Sequence, residues 1–142
     1  MSNLIKISDA ASYALHAMAR LAQSQDEIVR IHQIAEELEI SENHLAKVCQ
    51  RLVKAGLVNA QRGPKGGLSL TKEAFDITLL EIFEAIEGTL SLTGCLLKKK
   101  MCDSDTCVLG NLVKDVNDIA YKFLSETTLD KIANSEKSYH NK

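Results

Sequence analysis

The sequence predicts a mainly α-helical chain with a small β wing: a winged helix-turn-helix followed by a long C-terminal dimerisation helix. Three observations predict it. The 142 residues include one Pro and seven Gly, which leaves little room for a β-sandwich or for extended disorder. Successive segments place apolar residues at helical spacing. A Gly- and Pro-rich tract, RGPKGG (Arg62–Gly67), separates two short apolar stretches, as the turn of a basic hairpin would. A hydrophobic fraction of 45% can fill a core, and with 4% aromatic residues and no Trp that core is aliphatic.

The elements follow in order. Ser12 to Gln23 reads as a helix, with Tyr13, Leu15, Ala17, Met18, Leu21 and Ala22 supplying its apolar residues. Ile31 to Leu38 is a second, short helix, with Ile31, Ile34, Ala35 and Leu38 on one face. Ser41 is placed to cap a third helix, because its hydroxyl can accept from the amides of the first turn. In that helix Leu45, Val48, Cys49 and Leu52 recur at i, i+3, i+4 and i+7, one buried stripe. Gly56 stands where a helix-ending glycine belongs. Leu57–Gln61 and Leu68–Leu70 are the expected wing strands. Thr78 with Glu81 forms a capping box for a helix ending near Glu87, before Gly88. A long helix is expected from Val108 to Ser125. Its Leu112, Val116, Ile119 and Phe123 alternate four and three apart, a seam that a second copy of the chain would cover. The polar tail after Asn134 is expected to fray. The division expected is a DNA-binding unit over 1–75 and a cysteine loop with dimerisation helix over 76–142.

The net charge of −2 does not advertise a nucleic-acid partner, but its distribution does. From Asn43 through Lys72 there is no Asp or Glu and there are six basic residues: Lys47, Arg51, Lys54, Arg62, Lys65 and Lys72. This asymmetry is the electrostatic footprint of a phosphate-binding face. The second helix of a helix-turn-helix enters the major groove with its N-terminal residues at the base edges. That puts Glu42, Asn43, His44 and Lys47 at the bases of double-stranded DNA and Gln50, Arg51 and Lys54 nearer the phosphates. Asn suits an adenine edge and Lys a guanine edge. Arg62 and Lys65 project from the wing, where Arg62 can reach a narrow minor groove.

Cys95, Cys102 and Cys107 stand close together, with six and then four residues between them, on the lysine-rich loop CLLKKKMCDSDTC. Three thiolates on so short a loop can meet one metal centre, and thiolates are soft ligands that select Fe–S clusters, Zn or Cu(I). Lys98, Lys99 and Lys100 would lower the thiol pKa values and offset the charge of an anionic cluster. From the residues alone an iron–sulfur cluster, zinc, free thiols and a disulfide switch all stay open. Cys49 shares the stripe of Leu45 and Leu52 and reads as a small core hydrophobe. His16 and His32, isolated on helices, read as ordinary polar groups.

No apolar run approaches the ~20 residues of a membrane span, so no membrane partner is expected. Met1 to Lys6 lacks the charged-then-apolar order of a secretion signal, so the expected compartment is the cytoplasm. Disulfides rarely persist there, which favours ligands or redox sensors over staples. No phosphate loop, HExxH motif or cysteine with a paired His and acid is present, which argues against an enzyme.

Residues 12–125 resemble the Rrf-two (Rrf2) family of bacterial winged-helix transcriptional regulators, which includes the iron–sulfur cluster regulator and the nitric-oxide-sensitive repressor. The resemblance rests on SYALHAM (Ser12–Met18), IAEELEIS (Ile34–Ser41), RLVKAGLV (Arg51–Val58), RGPKGGLSL (Arg62–Leu70) and the three-cysteine loop. It implies a homodimeric DNA-binding regulator, by preference a repressor. It also implies a 2Fe–2S or 4Fe–4S cluster on Cys95, Cys102 and Cys107 that responds to nitric oxide, redox state or iron supply. SENHLAK (Ser41–Lys47) and LSLTGC (Leu90–Cys95) are similar to the nitric-oxide-sensitive branch. Two departures stand against the family pattern. The usual spacing is five and five, with the same total. The position of the fourth ligand of one branch, a His three residues after the last cysteine, is Gly110. The acidic ligand of the other branch falls at Ser12, with Asp9 one turn earlier, so the fourth ligand is left open among Asp9, a water or thiol, and another group. The alternative to this reading is a cluster-free thiol- or zinc-based transcriptional regulator.

Overall fold

The computed structural model describes residues 6–24, 27–92, 95, 97, 99, 101 and 104–136. The chain runs α1 (Asp9–Gln23), α2 (Ile31–Glu37), α3 (Glu42–Lys54), β1 (Val58–Gln61), β2 (Gly67–Leu70), α4 (Leu79–Glu87), α5 (Leu112–Glu126) and α6 (Leu129–Glu136), with short 3-10 turns at Ala74–Asp76 and Ser104–Thr106. The mainly helical class with a two-stranded antiparallel wing is the one the sequence predicts.

Helix α1 is the spine. It begins three residues before the expected Ser12, because the Ser8 hydroxyl accepts from the Ala11 amide at 3.1 Å and so caps an earlier turn. Its inner face is Ala11, Ala14, Ala17, Met18 and Leu21, all buried. Alanine side chains on that face let α3, α4 and α6 approach closely from different sides. Helix α2 ends in a sharp turn through Glu39, whose φ is 55°. Ser41 then caps α3 as expected, accepting from the His44 amide at 3.4 Å. Leu45, Val48, Cys49 and Leu52 form the buried stripe, and Leu45 and Leu52 are fully enclosed. Truncating either to Ala costs about 2–5 kcal/mol in such a site.

The wing pairs Val58 with Leu70 through Gln61 with Gly67. It carries a third attachment that the sequence did not announce. Val29, just before α2, bridges Leu68, with N–H···O distances of 2.9 and 2.7 Å in the two directions. Two glycines of the tip are required by space. A Cβ on Gly66 would lie 2.2 Å from the Gln61 carbonyl oxygen, and one on Gly67 would lie 2.7 Å from that of Val29.

Three features of the C-terminal half differ from expectation. The helix expected from Val108 begins at Leu112, because Cys107–Gly110 forms a turn closed by a Gly110 amide to Cys107 carbonyl bond of 3.0 Å, with Gly110 at φ +56°. A sixth helix follows it, so Ser135 and Glu136 are helical rather than frayed, while 137–142 lie outside the described residues. Helix α6 buries Leu129 and Ala133, and it packs on α1, which is what holds its end in place. Between α5 and α6 the chain docks on the start of α4. The Leu79 amide donates to Thr127 at 3.0 Å and the Leu129 amide to Ile77 at 2.8 Å. The capping box of Thr78 and Glu81 is present as expected.

Candidate functional site

Two regions carry chemistry: the face of α3 with the wing, and the loop between α4 and α5. On α3 the buried stripe turns Asn43, His44, Lys47, Gln50, Arg51 and Lys54 outward, and all six are exposed. Arg62 and Lys65 are exposed at the wing tip. Among the described residues, Lys47, Lys54, Arg62 and Lys65 have no ion-pair partner, since the bridges present involve other side chains. Lys72, the last of the six basic residues, is instead paired with Glu81 at 3.1 Å. A row of uncompensated cations on one convex element and its neighbouring hairpin attracts phosphate.

Several residues of this face have partners within the chain. His44 sits edge-on to Tyr13 of α1, with ring centroids 5.2 Å apart and planes at 85°. Glu42, expected at the base edges, has its carboxylate 3.1 Å from His32 Nδ1. That contact ties α2 to the first turn of α3. Arg51 Nη1 donates to the carbonyl of Ile86 in α4 at 3.1 Å. Arg30 donates to the carbonyl of Pro64, which fastens the wing tip to the start of α2. Sequence reasoning passed over Arg30, because it is 34 residues from its acceptor and no local spacing joins them.

Of the loop cysteines, Cys95 and Cys107 are half-buried free thiols, and Cys102 lies outside the described residues, as do Lys98 and Lys100. Lys99 is exposed. The loop leaves α4 under two restraints. The Leu90 amide donates to a Glu84 carboxylate oxygen at 3.5 Å, and the Gly88 amide donates to the Glu84 carbonyl at 2.9 Å. Asp9 is exposed in the first turn of α1, next to Ser8, which donates to Glu87 at the end of α4. Ser12 is half-buried, and its carbonyl accepts from His16 Nδ1 at 2.7 Å. Cys49 is different in kind. It is 3% exposed in the α3 stripe, and burial pushes its thiol from 9.0 up to about 11. Such a thiol stays protonated and is a poor ligand or nucleophile.

Helix α5 carries two adjacent apolar stripes. Val113, Val116, Ala120 and Leu124 are half-buried, and the helix packs on α4. Of the expected seam, Leu112, Ile119 and Phe123 lie to one side of them and are 44%, 70% and 58% exposed, whereas Val116 falls on the half-buried stripe. No residue of α5 is fully buried. No helix among the described residues is long and apolar enough to cross a membrane.

A basic second helix of a helix-turn-helix beside a paired wing defines the class: this is a winged-helix, DNA-binding transcriptional regulator. Within that class the chain belongs to the Rrf2 family, described as iron-dependent transcriptional regulators, whose pattern matches residues 7–135. It is 32% identical over 133 residues to the HTH-type transcriptional regulator IscR of Photorhabdus laumondii, covering 93% of this chain and 81% of that one. Its fold is similar to CymR, the global cysteine regulator of B. subtilis, with a TM-score of 0.78 and 27% identity over 93% of this chain and 98% of that chain. It is also similar to IscR of T. potens, with a TM-score of 0.69 and 30% identity over 95% and 91% of the two chains.

Proposed function

We propose that the chain acts in the cytoplasm as a homodimeric repressor on a double-stranded DNA operator, and that an iron–sulfur cluster on Cys95, Cys102 and Cys107 sets its affinity for that operator. Residues 1–75 read DNA, and 76–142 carry the sensor and the dimer contact. Asn43, His44 and Lys47 face base edges. Gln50, Lys54 and Lys65 serve the phosphates, and Arg62 enters the minor groove. The observation that carries the DNA-reading half is the set of exposed, unpaired cations on α3 and the wing. The outward stripe of Leu112, Ile119 and Phe123 supports a two-fold dimer, which also supplies the half-site spacing that a helix-turn-helix needs.

The donor chemistry fits a cluster. Cys95 and Cys107 are free and half-buried, accessible enough to ligate yet partly shielded from solvent, and Lys99 adds positive charge on the same loop. Asp9 supplies a candidate carboxylate for the remaining position. When bound, the cluster supplies a centre that reacts with nitric oxide and oxidants. The likeness to CymR, a global cysteine regulator also solved in an oxidized form, favours a second reading in which the loop thiols switch the regulator without a cluster; zinc on the same thiols is the cluster-free variant that donor chemistry alone allows.

Anaerobic purification with visible absorption, iron and acid-labile sulfide analysis separates these readings. A chromophore lost in Cys95→Ser, Cys102→Ser and Cys107→Ser, and kept in Cys49→Ser, supports the cluster. Protein that takes up zinc but never iron and sulfide overturns it and leaves the DNA-reading half standing.

A further inference from the structure

We infer that Arg51 is a positioning residue that couples the recognition helix α3 to the departure point of the cysteine loop, rather than a phosphate contact. The inference rests on the reading of that loop as the sensor. Arg51 lies in the last turn of α3, and its Nη1 donates to the Ile86 carbonyl at 3.1 Å in a half-buried bond. Ile86 belongs to the final turn of α4, whose carbonyls have no acceptor role within the helix beyond Glu84, which takes the Gly88 amide. A guanidinium there satisfies an orphan carbonyl and complements the negative end of the helix dipole. Lys47, Lys54, Arg62 and Lys65 have no comparable acceptor among the described residues, so Arg51, though exposed, is the cation of α3 and the wing tip that is tied to a backbone carbonyl of another helix.

The same turn of α4 holds two further attachments. The Glu84 carboxylate accepts from the Leu90 amide, where the loop begins, and Glu87 accepts from Ser8, the cap of α1. One helical turn therefore joins the loop start, the first turn of α1 and the end of the DNA-reading helix. A change in the loop that shifts or unwinds this turn moves the Ile86 carbonyl away from Arg51 and frees the C-terminal end of α3 to tilt. The loop state then biases the pose of the reader through a contiguous contact, and its effect equals the difference in stability of that contact between the two states.

The test uses the full-length protein and an operator selected from genomic fragments, with affinity measured across a range of salt. Cys107→Ser mimics the disrupted loop. The wild type and Cys107→Ser are expected to differ about tenfold in operator affinity, within the usual range of coupling between sites. Adding Arg51→Ala is expected to shrink that difference to within about twofold, with the salt slope of the wild type retained. Arg51→Gln removes the charge but keeps an N–H donor, so it should preserve part of the difference, and it serves as the informative variant if Arg51→Ala does not fold. Lys54→Ala should keep the difference and lower the slope by about one. The inference is overturned if Arg51→Ala keeps the tenfold difference, or if its salt slope falls by about one as a phosphate contact requires. If the wild type and Cys107→Ser bind alike, the sensor reading has failed and the coupling fails with it. The salt slope of Arg51→Ala then still decides whether this side chain touches phosphate.

Discussion

Ile119→Ala should weaken the proposed dimer by roughly a hundredfold while leaving the fold of each chain intact. Fully burying an Ile side chain contributes about 1.5–3 kcal/mol. Ile119 is 70% exposed on a single chain, so what a partner can still bury is worth about 1–2 kcal/mol. A two-fold interface uses each residue twice, which brings the loss to about 2–4 kcal/mol, and each 1.4 kcal/mol is tenfold in affinity. The substitution removes no contact from the buried core, because Ile119 lies outside it. Sedimentation equilibrium should show the shift in dimer dissociation, with thermal melts of the monomeric fraction close to wild type. Phe75→Ala is the control, since Phe75 is 61% exposed but lies in the 3-10 turn before α4, off the α5 stripe. A wild type that is monomeric at micromolar concentration would exclude this interface. So would an Ile119→Ala dimer as tight as wild type.

Three further expectations concern the reader. The Cys49 thiol titrates higher folded than unfolded, so the folded state holds its proton more tightly; the resulting stability is lost as pH rises from about 9 toward 11. That loss amounts to about 3 kcal/mol at most, and Cys49→Ala should flatten it in chemical denaturation at pH 8 to 11. Gly66→Ala drives a Cβ against the Gln61 carbonyl, so it should distort the wing and weaken operator binding at least as much as Arg62→Ala; unchanged binding would exclude the wing from DNA contact. Arg62→Ala and Lys47→Ala should each weaken binding to all sequences and lower the salt slope by about one, read by fluorescence anisotropy.

The parts of the fold that were legible in the sequence are those fixed by local chemistry. Ser41, the spacing of the α3 stripe, the Thr78–Glu81 capping box and Gly66 of the wing tip each act within a few residues of themselves, whereas Gly67 is required by the distant Val29. What was not legible depends on distant partners. Helix α6 is held by its packing on α1, more than a hundred residues away in sequence, and its Leu129 and Ala133 form too short a pattern to stand out. Ser8 is not legible as a cap because the small Ala10 and Ala11 that follow it carry too weak an apolar signal to extend the helix back past Ser12. The site divides in the same way. Outward residues on α3 follow from periodicity, whereas the inward commitment of Arg51, the Glu42–His32 contact and the Arg30–Pro64 clasp are tertiary.

The bridge between Thr78 and Thr128 pins both ends of residues 79–127, with the Leu79 amide on the Thr127 carbonyl; within that segment α4 packs on α1 and α3, whereas no residue of α5 is fully buried. Inside that segment lie Cys95, Cys102 and Cys107, the proposed sensor, and the outer face of α5. Lengthening a loop whose ends are already pinned costs little, since closure entropy grows only with the logarithm of length. A change from five-and-five to six-and-four spacing does not even alter that length, so it requires no change in the register of α1, α3 or the wing. The architecture lets the input of such a regulator diversify by insertion, deletion and substitution while its DNA-reading scaffold stays unchanged. It also makes this segment a tractable place to graft a different sensing loop onto the same reader.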